Sequence, residues 1–127
     1  MKTYLVTGIA GFIGSAVARK LIEGGHKVVG IDNFLTGLKE NIPTEAEFIE
    51  IDISKVEELK VLDKFKFDAV LHLAAQTSGE ISFDDPPKDL MINSLGTLNL
   101  LQYFKDRGDV KRFLYASSVT VCGDSDV

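Results

Sequence analysis

Three glycines, Gly8, Gly11 and Gly14, stand three residues apart between the apolar run Tyr4–Val6 and an apolar stretch with helical spacing. Gly8 can turn the chain sharply where a strand ends. Gly11 lets the backbone approach a pyrophosphate, an anion that a helix N-terminus attracts, and Gly14 lets the helix pack close to a sheet. The spacing G-x-x-G-x-x-G departs from the more general G-x-G-x-x-G of dinucleotide-binding turns. It predicts a phosphate-binding turn, and the alternative is a chance cluster of glycines.

Asp32 ends the second apolar run, Lys27–Asp32, and stands 18 residues after Gly14. A carboxylate at this place can accept hydrogen bonds from both ribose hydroxyls of an adenosine. The same charge would repel a 2′-phosphate, and no arginine lies between Asp32 and Thr44. The sequence therefore predicts NAD rather than NADP. An aspartate that caps the loop Asn33–Gly37 is an alternative that is compatible with cofactor binding.

Three further places carry weaker signals. Asp52 follows the third predicted strand, where it would contact an adenine or serve as a turn residue before Ser54. The small residues within Leu73–Gln76 would let the backbone pass close to a flat ligand, although small residues also simply pack tightly. Asn93 lies in the middle of a predicted helix, where a buried amide needs partners. It either ties that helix to a neighbouring strand or supports an active site.

Ser117 and Ser118 close the last predicted strand, which is where this kind of sheet places functional groups. A hydroxyl there would bond a substrate alcohol or carbonyl during hydride transfer, and the alternative is a serine that satisfies backbone groups. His72 lies inside a buried strand pattern and is predicted to be a hydrogen-bonded core histidine.

The elements that must position these residues alternate between strands and helices. Five strands are predicted, at Tyr4–Val6, Lys27–Asp32, Glu47–Ile51, Asp68–Ala74 and Lys111–Ser117. Their alternation with helices implies an α/β fold, a Rossmann-type doubly wound parallel sheet with strand order 3-2-1-4-5. A ligand is then expected at the carboxyl ends of the strands, near the switch between strands 1 and 4.

Three helices are predicted between these strands. The first covers Ile13–Glu23. A capping box at Ser54–Glu57 is expected to begin the second, whose inward residues are Val56, Leu59, Val61 and Leu62. Asp85 is expected to cap a third helix of about twenty residues, which starts at Pro86 and runs to Arg107 before Gly108.

Composition limits the classes of protein that remain. The 127 residues are 45% hydrophobic, which fits one domain over residues 1–127. A net charge of −5 gives no reason to expect nucleic acid or an anionic membrane, and no apolar run reaches the ~20 residues of a membrane span. Cys122 is the only cysteine, which excludes an intrachain disulfide and a thiolate metal cluster. We expect a cytoplasmic protein without a metal site.

Six motifs in register resemble the extended short-chain dehydrogenases, and within them the nucleotide-sugar epimerases and dehydratases of the UDP-glucose 4-epimerase type. The motifs are Thr7–Gly14, Asp32-Asn33, Asp52-Ile53, His72–Gln76, Asn93 with Gly96–Leu100, and Ser117-Ser118 followed by Gly123. Together they span nearly the whole chain.

The resemblance implies a site for NAD along several of these motifs. The residues concerned, besides the three glycines, are Phe12, Ile13, Asp32, Asn33, Phe34, Leu35, Thr36, Gly37, Asp52, Ile53, Leu73, Ala74, Ala75, Gln76, Thr77 and Asn93. Ser118 matches the catalytic serine of the family, which positions the sugar hydroxyl that is oxidised. The parent enzyme would act on a nucleotide sugar, and the helix over residues 86–107 would contribute to a homo-oligomer interface.

Two departures from the family pattern stand out. Cys122 occupies a position that is usually tyrosine. The family's base is a tyrosine in Tyr-x-x-x-Lys, and none of Tyr4, Tyr103 and Tyr115 has a lysine four residues later. We therefore expect an NAD-binding fragment, without the catalytic base and the C-terminal substrate domain, that has no turnover by itself. The alternative is a non-catalytic dinucleotide-binding or redox-sensing module.

Overall fold

Five short strands form one parallel sheet in a computed structural model that describes residues 1–123; the last four residues of the predicted domain lie outside it. The strand order is β3-β2-β1-β4-β5, as the sequence predicted. Helices cover both faces, which defines an α/β doubly wound fold. The strands are β1 (Thr3–Thr7), β2 (Lys27–Asp32), β3 (Glu47–Glu50), β4 (Ala69–His72) and β5 (Arg112–Tyr115).

The central strand β1 separates two hydrophobic clusters. Leu5 pairs with Val29 of β2 and Val70 of β4, and all three side chains belong to the cluster on one face. Val6 belongs to the cluster on the other face, because successive side chains of a strand point to opposite sides of the sheet. Leu5 and Val6 are both fully buried, so β1 and the turn that follows it are anchored from both faces.

Helix α1 (Phe12–Glu23) follows β1 and packs against the second cluster through Ala18. The segment after β3 differs from its prediction. It is a 3₁₀ helix over Val56–Lys64 that begins after Lys55 without a side-chain cap, so the predicted capping box is wrong. The reason is that the Ser54 hydroxyl donates to the carboxylate of Asp52 at 2.8 Å instead of accepting from the helix.

Tighter winding of this 3₁₀ helix also changes which side chains point inward. Leu59 and Leu62 are fully buried, as predicted. Val56 and Val61 are 56% and 39% exposed, so their predicted inward position is wrong. A 3₁₀ helix has three residues per turn, which aligns positions 56, 59 and 62 and leaves Val61 off that face. Val56 is exposed although it is aligned with Leu59 and Leu62, and it is the first residue of the helix.

The long helix predicted from Pro86 consists of α3 (Pro86–Leu90), a π-helical turn (Met91–Leu95) and α4 (Gly96–Arg107). As predicted, the Asp85 carboxylate caps its start by accepting from the Lys88 N–H at 3.1 Å. Gly108, with φ 69°, ends it. The short helix α2 (Gly79–Asp84) was not predicted, although Ser78 caps it. We refer to Pro86–Arg107 as the long helix.

Candidate functional site

A cavity of about 300 Å³ opens where the carboxyl ends of the strands meet. Four loops form it, one after each of β1, β2, β3 and β4, together with the end of β2, the first turn of α1 and one residue of the π-helical turn. The cavity therefore lies at the switch between β1 and β4, the place that the strand order predicted. Its lining residues are Gly8, Gly11, Phe12, Ile13, Gly14, Ile31, Asp32, Asn33, Leu35, Thr36, Gly37, Ile51, Asp52, Ile53, Leu73, Ala74, Ala75, Thr77 and Ile92.

The three glycines meet different constraints. Gly8 has φ 71°, and a Cβ there would lie 2.8 Å from the backbone nitrogen of Ala74. A Cβ on Gly14 would overlap the carbonyl oxygen of Gly8. At Gly11 the only neighbour is the same oxygen at 3.2 Å, and φ is −79°. Folding therefore requires glycine at positions 8 and 14, whereas at position 11 a Cβ would need only a small shift of one oxygen.

The first turn of α1 faces this cavity through Phe12, Ile13 and Gly14. Gly11 is the N-cap residue and offers no side-chain acceptor, and the turn contains no acidic residue. The first N–H groups of a helix have no partner inside the helix and carry partial positive charge. This end of α1 can therefore bind an anionic group such as a diphosphate.

The carboxylate of Asp32 joins two of the loops. One oxygen accepts from the Ala10 N–H at 3.0 Å, and the other accepts from the Phe34 N–H at 2.8 Å. The loop-capping alternative raised from the sequence is thus present in the structure. Each carboxylate oxygen has two lone pairs, so both remain able to accept a hydroxyl of a ligand in the cavity.

The loop after β3 is held by its own aspartate and by the long helix. Asp52 accepts from both the N–H and the hydroxyl of Ser54 at 3.0 and 2.8 Å. The side-chain amide of Asn99 donates to the carbonyls of Ile53 and Ser54 at 2.9 and 3.0 Å. Asp52 therefore serves as the turn residue, and it lines the cavity as well. Its contact with adenine stays a prediction.

The loop after β4 forms the opposite wall. The N–H groups of Leu73 and Ala74 donate to the hydroxyl of Thr7, each at 3.0 Å. These bonds explain why β4 ends at His72 and not at Ala74 as predicted. Asn93 accepts from the Gln76 N–H at 2.8 Å and donates to its carbonyl at 2.9 Å. Asn93 thus ties the long helix to this loop.

Three residues of the predicted NAD site do not line the cavity: Phe34, Gln76 and Asn93. Phe34, with φ 56°, packs against Phe48 with ring centroids 5.2 Å apart. Gln76 is buried and, with Asn93, holds the wall from behind. Sequence reasoning missed the apolar lining residues Ile31, Ile51 and Ile92. The signal for the first two was their place immediately before the strand-end aspartates.

His72 is buried, as the sequence predicted for a core histidine. Its Nδ1 lies 2.7 Å from the Thr7 hydroxyl, and its Nε2 lies 2.8 Å from the Thr97 hydroxyl. Burial lowers the pKa of His72 from 6.5 to about 4. The imidazole is therefore neutral in the folded protein near neutral pH.

We expect this burial to make the fold weaker in mild acid. As the pH falls below 6.5, the unfolded chain binds a proton at His72, whereas the folded chain does so only near pH 4. The free energy of unfolding should fall by about 2 kcal/mol between pH 6.5 and 5 from this residue. Urea unfolding of the wild type and of His72→Gln at both pH values isolates this contribution, since other groups titrate in both proteins. Parallel pH curves for the two proteins would refute it.

Ser118 lies after β5, is exposed, and does not line the cavity. Its hydroxyl accepts from the Thr120 N–H at 3.3 Å and lies 2.8 Å from the Thr120 hydroxyl. These bonds match the alternative raised from the sequence, in which the serine hydroxyl satisfies a backbone group. Its predicted catalytic role stays a prediction. Residues 1–123 contain no group of three side chains that could hold a metal ion and no helix long and apolar enough to cross a membrane.

This strand order, with a glycine-rich turn and a strand-end carboxylate at one cavity, defines a Rossmann-type dinucleotide-binding domain. The chain belongs to the NAD-dependent epimerase/dehydratase family, whose family model matches residues 4–127. NAD is the cofactor of this family, as the resemblance implied.

Individual relatives agree with this assignment. The chain is 40% identical over 119 residues to the UDP-glucose 4-epimerase of Mycolicibacterium smegmatis, covering 90% of this chain and 38% of that protein. The Thermotoga maritima UDP-glucose 4-epimerase, solved with UDP-glucose, superimposes with a TM-score of 0.88 at 41% identity, covering 91% of this chain and 38% of the other. The Thermus thermophilus UDP-glucose 4-epimerase, solved with NAD, gives a TM-score of 0.86 at 38% identity, with 91% and 37% covered. The chain thus spans less than two fifths of the length of these relatives.

Proposed function

We propose that this chain binds NAD in the cavity at the carboxyl edge of its sheet, as the cofactor domain of a nucleotide-sugar epimerase or dehydratase. The observation that carries the proposal is the convergence of two groups on that cavity: the uncapped N-terminus of α1 and the carboxylate of Asp32. The first suits a diphosphate and the second a ribose diol. NAD, when bound, would accept and return the hydride of a sugar carbon.

Different residues of the cavity would bind different parts of NAD. The backbone at Gly11–Ile13 would hold the diphosphate, because the glycine has no side chain to block its approach. Asp32 would orient the adenosine ribose, and Asp52 with Ile53 would contact the adenine. The small side chains within Leu73–Thr77 would let the backbone lie against a flat ring. The other residues proposed from the resemblance, including Phe34 and Gln76 in the loops and Asn93 in the long helix, would hold these binding residues in place.

Asp32 should make the chain prefer NAD over NADP. Its charge would repel a 2′-phosphate, and the described residues that line the cavity include no lysine or arginine that could bind one. Asp32→Ala should weaken NAD binding by about 1–3 kcal/mol, the loss expected for hydrogen bonds to a charged group. Titration calorimetry with both cofactors measures this, and Asp84→Ala, at an exposed position outside the cavity, is the matched control. Equal or tighter binding of NADP by the wild type would sink the proposal.

The whole enzyme would oxidise a sugar carbon and then return the hydride after epimerisation or after elimination of water. Ser118 would bond the sugar hydroxyl in that reaction. A base is still needed to take the hydroxyl proton, and such catalysis is typically worth 10²–10⁴-fold. We expect no epimerase or dehydratase turnover from the 127-residue chain by itself. The family assignment favours this enzyme over a redox-sensing module.

The long helix is proposed to mediate a homo-oligomer. Leu90, Met91, Leu95, Leu98 and Leu101 are between 38% and 63% exposed and recur mostly at spacings of three or four residues. Such a stripe marks one apolar helix face. Tyr103 is not part of it, because its hydroxyl donates to Asp63 at 2.6 Å.

We therefore expect the chain to run as a dimer or larger species by light scattering. The double variant Leu98→Glu/Leu101→Glu should be monomeric, because two charges on the stripe would have to be desolvated on association. Lys105→Glu, farther along the same helix, is the control. A monomeric wild type would contradict the proposed interface.

A further inference from the structure

A continuous series of hydrogen bonds runs from β1 to the loop after β4, through the long helix. It begins at the Thr7 hydroxyl, which lies 2.7 Å from His72 Nδ1 and accepts from the N–H groups of Leu73 and Ala74. His72 Nε2 lies 2.8 Å from the Thr97 hydroxyl. We call the series Thr7–His72–Thr97–Asn93–Gln76 the polar chain.

The direction of each bond follows from the donors available. Thr97 donates its only hydroxyl proton to the carbonyl of Asn93 at 2.7 Å. Toward His72 it can therefore only accept, so Nε2 carries the imidazole proton. Nδ1 is then an acceptor, and the Thr7 hydroxyl donates to it. Thr7 is left with two lone pairs, which take the two N–H groups of Leu73 and Ala74.

The other imidazole tautomer would give the Thr7 hydroxyl more hydrogen-bond donors than it can accept. With a proton on Nδ1, three N–H donors would converge on a hydroxyl oxygen that has two lone pairs. One of the bonds to Leu73 and Ala74 would be lost. The Thr97 hydroxyl therefore decides, through His72, whether Thr7 can hold both N–H groups.

The far end of the polar chain fixes the same loop. Asn93 binds both main-chain groups of Gln76, and the Gln76 side chain donates to Asp89 at 2.7 Å. Leu73 and Ala74 at one end, and Gln76 at the other, are thus held by side chains. Ala75 lies between these held residues and Thr77 follows them directly, and both line the cavity.

We propose that His72 and Thr97 are positioning residues for cofactor binding: they set the shape of the cavity wall Leu73–Thr77 by fixing the proton on His72 Nε2. The proposal rests on the proposed function, since it takes NAD as the ligand of that wall. His72 lies behind the wall and does not line the cavity. Its imidazole acts on the wall through the Thr7 hydroxyl, which holds the N–H groups of Leu73 and Ala74.

Thr97→Val and Thr97→Ser test this idea. Valine keeps the shape of the side chain and removes the hydroxyl, whereas serine restores the hydroxyl. We expect Thr97→Val to bind NAD about tenfold more weakly by titration calorimetry. Hydrogen exchange at the N–H groups of Leu73 and Ala74 should become faster in this variant. Thr97→Ser should behave like the wild type, and Thr44→Val, at an exposed position outside the cavity, is the matched control.

A long-range ¹H–¹⁵N NMR spectrum of the wild type without NAD reads the tautomer directly and needs no variant. A proton on Nε2 supports the proposal, and a proton on Nδ1 overturns it. Equal NAD affinities for the valine and serine variants would also overturn it. If the wild type fails to bind NAD, the proposed function fails. The tautomer and the exchange rates then still decide whether the polar chain sets the wall.

Discussion

Replacing Gly11 with valine is expected to abolish NAD binding while leaving the sheet folded. A Cβ at this position meets only the Gly8 carbonyl oxygen, at 3.2 Å, and the backbone is already extended. The cost to folding should be about 1–2 kcal/mol, because valine is an unfavourable residue at a helix N-cap and the Gly8 carbonyl oxygen must yield by a few tenths of an ångström. The valine methyl groups would stand above the first turn of α1, where the diphosphate must approach. Losing two hydrogen bonds to a charged group weakens binding at least ~100-fold.

Titration calorimetry with NAD measures this loss, and urea unfolding of the same samples checks the fold. Gly11→Ala is the graded control, because one methyl group should weaken binding less than an isopropyl group. An unchanged NAD affinity in a folded Gly11→Val protein would show that the diphosphate does not lie over this turn.

In contrast to Gly11→Val, Gly14→Ala is expected to cause mainly a large loss of folding stability. The added methyl group would overlap the carbonyl of Gly8. The Gly8–Ile9 peptide cannot move away easily, because its carbonyl accepts from the Gly11 N–H at 3.0 Å and its N–H, that of Ile9, donates to the carbonyl of Ile31 at 3.3 Å. Overpacking of this kind costs about 1–3 kcal/mol, and we expect the upper end, about 3 kcal/mol, since the obstacle is backbone.

Urea unfolding monitored by circular dichroism measures this cost. Ala18→Gly in the same helix is a useful comparison, because it removes a methyl group from a fully buried position of α1. A Gly14→Ala protein as stable as the wild type would mean that α1 can shift away from the Gly8 turn. The predicted reason for the third glycine would then be wrong.

Much of the architecture follows from the sequence for a simple reason. Strands buried on both faces read as continuous apolar runs, such as Val28 to Ile31, and alternation with helices leaves few permitted connections. The exceptions arose where a side chain formed a hydrogen bond that the sequence pattern does not show. Ser54 bonds Asp52 instead of capping a helix, and Thr7 takes the N–H groups that would have extended β4.

The candidate site was predictable where a residue's role depends on its place at a strand end. Asp32 and Asp52 both line the cavity, because the carboxyl ends of parallel strands share one edge. Asn93 could not be assigned from sequence, since its partner Gln76 lies 17 residues away in a loop without periodicity. The polar chain through His72 was hidden for the same reason: its bonds to Thr7 and Thr97 join three separate elements.

The central claim is that NAD binds in the cavity between the Gly8–Gly14 turn and the loop after β4. The most direct test is a titration of the ¹⁵N-labelled chain with NAD, followed by NMR. The account predicts that the amide signals of Gly11–Ile13, Asn33–Gly37 and Leu73–Thr77 shift together with a single affinity, and that those of the distant turn at Gly24–Gly25 stay unchanged. Shifts confined to other parts of the chain, or no shifts at millimolar NAD, would contradict it.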